Sequence, residues 1–321
     1  MDIQAVLDRY HSDMQAVEAL LSEQVKGQNA ELTQANAELL NAGGKRIRPL
    51  FVLMCSRFGD MDADWVIPLA AAVEMIHMAT LVHDDVIDDA QTRRGRPTVR
   101  AKWGNLAAMY AGDYLLGRAL GLLTQIPNLQ IHREMSDAIV RMCEGEIEQI
   151  QDFYNWRQSL RRYLRRVERK TALLISVSCS LGAVAAGAAP ESVRVLRRFG
   201  YYTGMAFQIT DDVLDYVADA DVVGKPVGGD LRQGNLTLPA LHAARESAVG
   251  EVLRATVQPS MHGSDIDRAL DLVRRSDGLP FARDLARRYM EKAMVLLDQL
   301  ETGQLRTDLA SVAQFVNARM S

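Results

Sequence analysis

The 321-residue chain is short of several things, and each shortage narrows what it does. Only three cysteines are present (Cys55, Cys143 and Cys179), and no two of them form a CxxC pair. That spacing argues against a disulfide framework and leaves buried, inert thiols in a reducing compartment as the expectation. A basic field is also missing: 37 Lys and Arg against 41 Asp and Glu give a net charge of -4, so nothing points to nucleic acid as a partner. The opening stretch MDIQAVLDRYHSD places acids where an export signal would need a basic and then an apolar run, so a cytoplasmic protein is expected. Alternating strand patterns, internal repeats and low-complexity linkers are all lacking. One uncharged segment, TALLISVSCSLGAVAAGAA at 171–189, is about as long as a membrane span. It consists mostly of Ala, Ser, Gly and Thr, which insert poorly, so it reads as a helix packed closely on all sides. Any membrane contact is expected to be peripheral.

What is present suits a packed helical protein. The composition is 48% hydrophobic and 24% charged, enough to bury a core in one domain over 1–321. Apolar residues recur at three- and four-residue spacing almost throughout, which predicts an all-α fold. Residues 1–42 read as two helices stopped by Gly43-Gly44, and Pro49 suits the first turn of the next. A long helix beginning near Pro68 is expected to end around Asp89, before a polar loop over 90–100. Further helices are predicted at about 104–124, 129–152, 159–187 and 190–218. A glycine-rich stretch over 219–234 precedes helical patterns at about 236–257, 264–275, 281–301 and 306–319.

Two acidic clusters stand out. Asp84, Asp85, Asp88 and Asp89 fall within six residues at the end of an apolar helix, just before Arg93-Arg94. The pattern returns as Asp211, Asp212 and Asp215. Carboxylates this close repel and raise one another's pKa unless a cation intervenes. A hard ion such as Mg²⁺ takes one or two carboxylates and completes its shell with water and phosphate oxygens. At 100° per residue His77, Asp84 and Asp88 share a stripe, as do Gln208, Asp211, Asp212 and Asp215. Two helices ending this way, pointed at one cavity, would hold several Mg²⁺ around a diphosphate and make it a leaving group. Arg93 and Arg94 can add bidentate phosphate contacts.

With those residues in view, the chain resembles the trans-isoprenyl diphosphate synthases over nearly its whole length. The matching pieces are GGKRIRP (43–49), EMIHMATLVHDDVIDDAQTRRGRPT (74–98), GDYLL (112–116), EGEIEQ (144–149), RKTA (169–172), GMAFQITDDVLDY (204–216) and GKPVGGDLRQGNLTLP (224–239). It is most similar to the large catalytic component of heptaprenyl diphosphate synthases. The resemblance implies a helical bundle of the isoprenoid synthase type around a central cavity. It also implies sequential condensation of isopentenyl diphosphate onto an allylic diphosphate such as farnesyl diphosphate, feeding quinone side-chain synthesis.

By the same resemblance, Asp84, Asp85 and Asp88 bind Mg²⁺ with the allylic diphosphate, and Asp211, Asp212 and Asp215 hold the remaining ion. Lys45, Arg48, His77 and Arg94 match the isopentenyl diphosphate site. Arg93, Lys170, Thr171, Gln208 and Lys225 match positions around the allylic diphosphate. Relatives are homodimers or, in the two-component enzymes, pair with a small non-catalytic subunit. Many relatives carry Lys where this chain has Asn235. The product tail would grow along the helix upstream of Asp84, one isoprene unit per turn of about 5.4 Å. Ala79 and Thr80 leave the first turn open and Ile76 is a candidate partial stop, so a long product of about seven units is expected. His83, Glu144 and Glu146 are assigned no catalytic role, and Met75, Met78 and Met205 are expected in the core. A class I terpene cyclase is the enzymatic alternative and a non-catalytic partner subunit the other; retention of both aspartate clusters argues against each.

Overall fold

A computed structural model describes residues 3–93, 95–217, 227–245 and 247–317. Arg94 and Lys225 lie outside the described residues. The fold is all-α, with one two-residue hairpin, β1 Thr92–Arg93 against β2 Arg96–Pro97, inside the expected polar loop.

The chain divides into two compact units. The first comprises Met1–Ser136, Ile175–Arg197 and Gln299–Val312, and the second Asp137–Leu174, Arg198–Asp298 and Ala313–Ser321. In chain order the helices are α1 Ile3–Arg9, α2 His11–Gln24, α3 Ala30–Asn41, α4 Ile47–Ser56, α5 Ala63–Ile87, α6 Val99–Leu123, α7 Leu129–Gln151 and α8 Leu160–Val167. A π-helical turn, Glu168–Ala172, leads into α9 Leu173–Ala185 and α10 Pro190–Val217. The remainder are α11 Gly229–Gln233, α12 Leu238–Ala243, α13 Ser247–Thr256, α14 Gly263–Arg275, α15 Gly278–Leu297 and α16 Gln304–Asn317.

Three long predicted helices are broken. The first 42 residues hold three helices, the 159–187 pattern is interrupted by the π turn, and 236–257 splits into α12 and α13. Periodicity alone misses such breaks because apolar spacing continues across them.

In the first unit α5 is the central element. Asp62 caps its start by accepting from the Asp64 N–H, and nearly every residue from Leu69 to Ile76 is buried. By length and composition α5 is apolar enough to cross a membrane, but 67% of that stretch is buried inside the protein. The uncharged segment 171–189, expected to be a closely packed helix, is the end of the π turn followed by the buried helix α9. α5 packs along α6, whose start is capped by the Thr98 hydroxyl accepting from Ala101 N–H. Gly182 of α9 lies against α4 so closely that a Cβ there would sit 2.3 Å from the Val52 carbonyl oxygen. Met75 and Met78 are buried as expected, and His83 packs against Gly112 of α6. Among the thiols Cys55 and Cys179 are buried, but Cys143 is exposed, which corrects the expectation that all three are inert.

The second unit has its own core, built from Tyr163 and Val167 of α8, Met205, Ile209, Val213 and Tyr216 of α10, and Leu231, Leu236 and the apolar faces of α12 to α15.

Candidate active site

In the first unit the chain reaches the acidic end of α5 through a tied-down loop. Gly43 (φ 78°) and Arg46 (φ 44°) both adopt left-handed backbone, which turns the chain from α3 into α4. Arg46 then fixes the turn. Its guanidinium donates to Glu18 of α2 at 2.6 Å, to Glu74 of α5 at 2.9 Å and to the Leu40 carbonyl at 2.9 Å. Arg46 was not among the residues singled out from sequence; its neighbours Lys45 and Arg48 were. Lys45 is exposed and Arg48 half-buried.

At the helix end the three aspartates take different positions. Asp84 and Asp88, one turn apart, are partly exposed, whereas Asp85 is buried. Asp85 accepts from Arg93 Nε at 2.8 Å, and its backbone carbonyl receives the Ala90 N–H, so the hairpin is folded back on the helix it follows. A cavity of about 310 Å³ opens beside this end, lined by Gly43, Arg46, Glu74, His77, Asp85, Arg93, Arg96 and Lys102 among others. His77, Asp85 and Arg93 thus meet at one cavity, together with the unforeseen Arg96 and Lys102. Lys45, Arg48, Asp84 and Asp88 are not among its lining residues. Ile76 and Ala79 are buried on α5, and half-buried Thr80 donates back to the His77 carbonyl.

In the second unit the π turn presents the RKTA motif. Lys170 Nζ lies 3.4 Å from Glu146 and 3.4 Å from Gln149 of α7, and Thr171 donates to Gln208 of α10. Gly204 explains its own place in the GMAFQITDD motif: a Cβ there would lie 2.5 Å from Ala172 Cα, so only glycine lets α10 come this close to the turn. On α10, Asp211 is exposed while Asp212 is buried and held at both oxygens. Gln208 Nε2 donates to Oδ1 at 2.8 Å and Tyr163 Oη to Oδ2 at 2.6 Å. Asp215 accepts from the backbone N–H groups of Gly229 (3.2 Å) and Asp230 (3.0 Å), tying the loop before α11 to α10.

Two residues here were not foreseen. Asp230 is a fourth carboxylate of the cluster, and Tyr163 supplies the buried hydroxyl. Burial first, and then the Asp230 charge, push the Asp212 carboxyl up to about 7 and that of Asp215 up to about 8. Asn235 turns inward and donates to Asp230 Oδ1 at 2.8 Å. It therefore brings a hydrogen bond but no positive charge to this cluster.

Among the described residues no three His, Cys, Asp or Glu side chains converge as a ready-made metal cage. All-oxygen donors in open pairs, with uncompensated buried acid beside them, nonetheless fit Mg²⁺. That ion keeps most of its shell for water and substrate phosphate.

Acid-rich helix ends, each flanked by basic or amide groups, in an all-α chain define a diphosphate-handling enzyme of the isoprenyl synthase class. Comparison with known proteins agrees. The profile of the polyprenyl synthetase family matches residues 29–273. Over 319 residues the chain is 46% identical to heptaprenyl diphosphate synthase component 2 of Geobacillus stearothermophilus, covering 99% of this chain and 99% of that one. The crystal structure of heptaprenyl diphosphate synthase from Staphylococcus aureus superposes with a TM-score of 0.93 at 36% identity, over 100% of this chain and 99% of that one. A polyprenyl synthase from Caulobacter crescentus CB15, complexed with calcium and isoprenyl diphosphate, superposes with a TM-score of 0.95 at 32% identity, over 100% and 98% of the two chains. The chain belongs to the polyprenyl synthetase family, and is a prenyltransferase of the long-chain polyprenyl diphosphate synthase type.

Proposed function

We propose that this chain is the catalytic subunit of a heptaprenyl diphosphate synthase, extending an allylic diphosphate such as farnesyl diphosphate with isopentenyl diphosphate. The observation that carries the reading is a repeated arrangement. In each cluster one aspartate is exposed or partly exposed and the next is buried and held by a fixed donor, Arg93 in one case and Tyr163 with Gln208 in the other. Asp84, Asp85 and Asp88 would hold Mg²⁺ with the allylic diphosphate, and Asp211, Asp212 and Asp215 the remaining ion. Bound magnesium supplies neutralisation of the charge that gathers on diphosphate as its carbon–oxygen bond breaks. Arg93, Lys170, Thr171 and Gln208 orient the allylic diphosphate, and Lys45, Arg48 and His77 the isopentenyl diphosphate; Arg94 and Lys225 join these two groups by family likeness. The isopentenyl double bond attacks the allylic carbon, and the proton that is then lost passes to the departing diphosphate.

The product test is direct. Chain supplied with its small partner subunit and incubated with farnesyl diphosphate, isopentenyl diphosphate and Mg²⁺ is expected to yield products of about seven units, while Ala79→Tyr shortens them to about four or fewer by filling the first turn of the tail's path. Unchanged product length in Ala79→Tyr refutes the assigned path.

We further propose that the chain works in a two-component enzyme, as the name of its Geobacillus relative implies for that protein. The partner would seat on the outer face of α6. Leu106 (71% exposed), Tyr110 (62%) and Leu120 (46%) line that face, with Gly117 and Gly121 between and after them. A Cβ at either glycine would meet nothing within 4 Å, so the backbone there is open to a close-packing helix.

A further inference from the structure

Tyr163 is among the largest fully buried side chains of the described residues, and its hydroxyl donates to a carboxylate. A buried tyrosine needs a partner for its hydroxyl, and backbone carbonyls are the commonest acceptors available in a helical core. Here the acceptor is Asp212, whose other oxygen receives Gln208 Nε2, whose own amide oxygen receives the Thr171 hydroxyl. The chain Thr171–Gln208–Asp212–Tyr163 therefore starts and ends on the same stretch of backbone, α8 with the π turn, and grips α10 between.

The π turn makes the grip possible. Eight residues of unbroken α-helix would leave Thr171 about 80° round from Tyr163. A π turn absorbs one extra residue and cuts that offset to about 20°, so both side chains face α10. Close approach is permitted by Gly204 and would be lost with any side chain there. Behind the ring, Arg166 is itself buried and anchored to Gln158 Oε1 at 3.0 Å and to the Leu236 carbonyl at 2.6 Å, with its guanidinium 5.5 Å from the ring centre. The ring is thus backed by an anchored guanidinium, and Asp212 receives one donor at each oxygen.

We propose that Tyr163 is a positioning residue for the diphosphate–metal chemistry. It acts through Asp212, holding that carboxylate in place among the residues that would hold the ion. The inference rests on the function proposed above. It differs from a packing role in what it predicts: Tyr163→Phe keeps the ring and the core while removing one hydrogen bond to one carboxylate.

The experiment uses full-length chain, with the partner subunit present in the kinetic assays. The midpoint of thermal unfolding is measured with and without Mg²⁺ plus inorganic pyrophosphate, and half-saturating Mg²⁺, kcat and the KM for isopentenyl diphosphate are measured for wild type, Tyr163→Phe, Asp212→Asn and the double variant. Tyr163→Phe is expected to unfold within a few degrees of wild type in the absence of ligand. Its stabilisation by Mg²⁺ and pyrophosphate should be at least halved, its half-saturating Mg²⁺ raised about tenfold, and its KM for isopentenyl diphosphate unchanged. Added to Asp212→Asn, it should cost nothing further. Equal magnesium response in Tyr163→Phe and wild type overturns the proposal alone, as do independent, additive effects of the two substitutions. Should wild type itself neither transfer prenyl groups nor respond to Mg²⁺ and pyrophosphate, the site assignment fails and takes the proposal with it. If Tyr163→Phe unfolds early, its ligand-induced shift is still compared with that of Asp212→Asn, and a full wild-type shift again overturns the proposal.

Discussion

The carboxyls of Asp212 and Asp215 are held well above the ordinary carboxylate range. Both are pushed up, by burial first and by the nearby Asp230 next, to about 7 and about 8 against an ordinary 3.8. A carboxyl whose pKa is higher in the folded chain holds its proton more tightly when folded. Its contribution to stability is therefore complete below the unfolded value and is lost as pH rises through the folded one. Metal-free chain should accordingly become less stable between about pH 4 and pH 8, the reverse of the usual behaviour of paired surface carboxylates. Urea midpoints in EDTA at about pH 5.5 and 8.5 measure this, and Asp215→Asn is expected to flatten the slope. A slope of equal size in that variant would show that the loss comes from other groups. At this scale part of the arrangement was legible in the sequence: Gln208 and Asp212, four residues apart on α10, hydrogen-bond as that spacing allows, whereas Lys170 and Thr171 were singled out by family likeness alone. Tyr163 and Asp230 were not legible, since a hydroxyl eight residues before Thr171 reaches Asp212 only after a π turn that no periodicity announces.

At the scale of elements, the positions of the clusters depend on helices brought closer than side chains ordinarily allow. α9 lies against α4 through Gly182, whose absent side chain leaves the Val52 carbonyl its space. A methyl group there would sit 2.3 Å from that oxygen, and because both partners are backbone neither can swing aside. Gly182→Ala should therefore destabilise the chain by about 1–3 kcal/mol through forced separation, even though alanine is the better helix former. Urea unfolding reads the loss directly, and a gain in stability would mean that the two helices separate at no cost. Helix existence and approximate limits were visible beforehand for α5, α6, α7 and α10, where long amphipathic or apolar runs end at caps and glycines. What stayed hidden were the breaks. Gly104 bends the start of α6 with φ 84°, and the chain between α12 and α13 interrupts a stretch whose apolar spacing runs on.

For the whole molecule the open question is what covers α6. A solvated helix of a self-sufficient chain would carry charge on its outer face, yet Leu106, Tyr110 and Leu120 are exposed there, with only Asp113 among them as an acid. Scattered apolar residues need no explanation, but a stripe repeated over four turns does. Two glycines four apart on the same stripe add geometry to hydrophobicity: they let a second helix approach to backbone contact, which a lipid surface or a small ligand would not require. The sequence offered no means to see this, because Leu and Tyr at helical spacing read as core until the structure shows which face is covered. The expected occupant is the second subunit of a two-component synthase. Purified chain alone should then show weak or no long-chain synthesis, and adding a small-subunit extract fraction that carries no prenyltransferase activity should restore it. Gly117→Leu should block that restoration by filling the approach, while leaving the chain's unfolding midpoint within a few degrees of wild type because a Cβ at 117 meets nothing within 4 Å. Full activity of the isolated chain, unaffected by Gly117→Leu, would mean that no small subunit seats on α6.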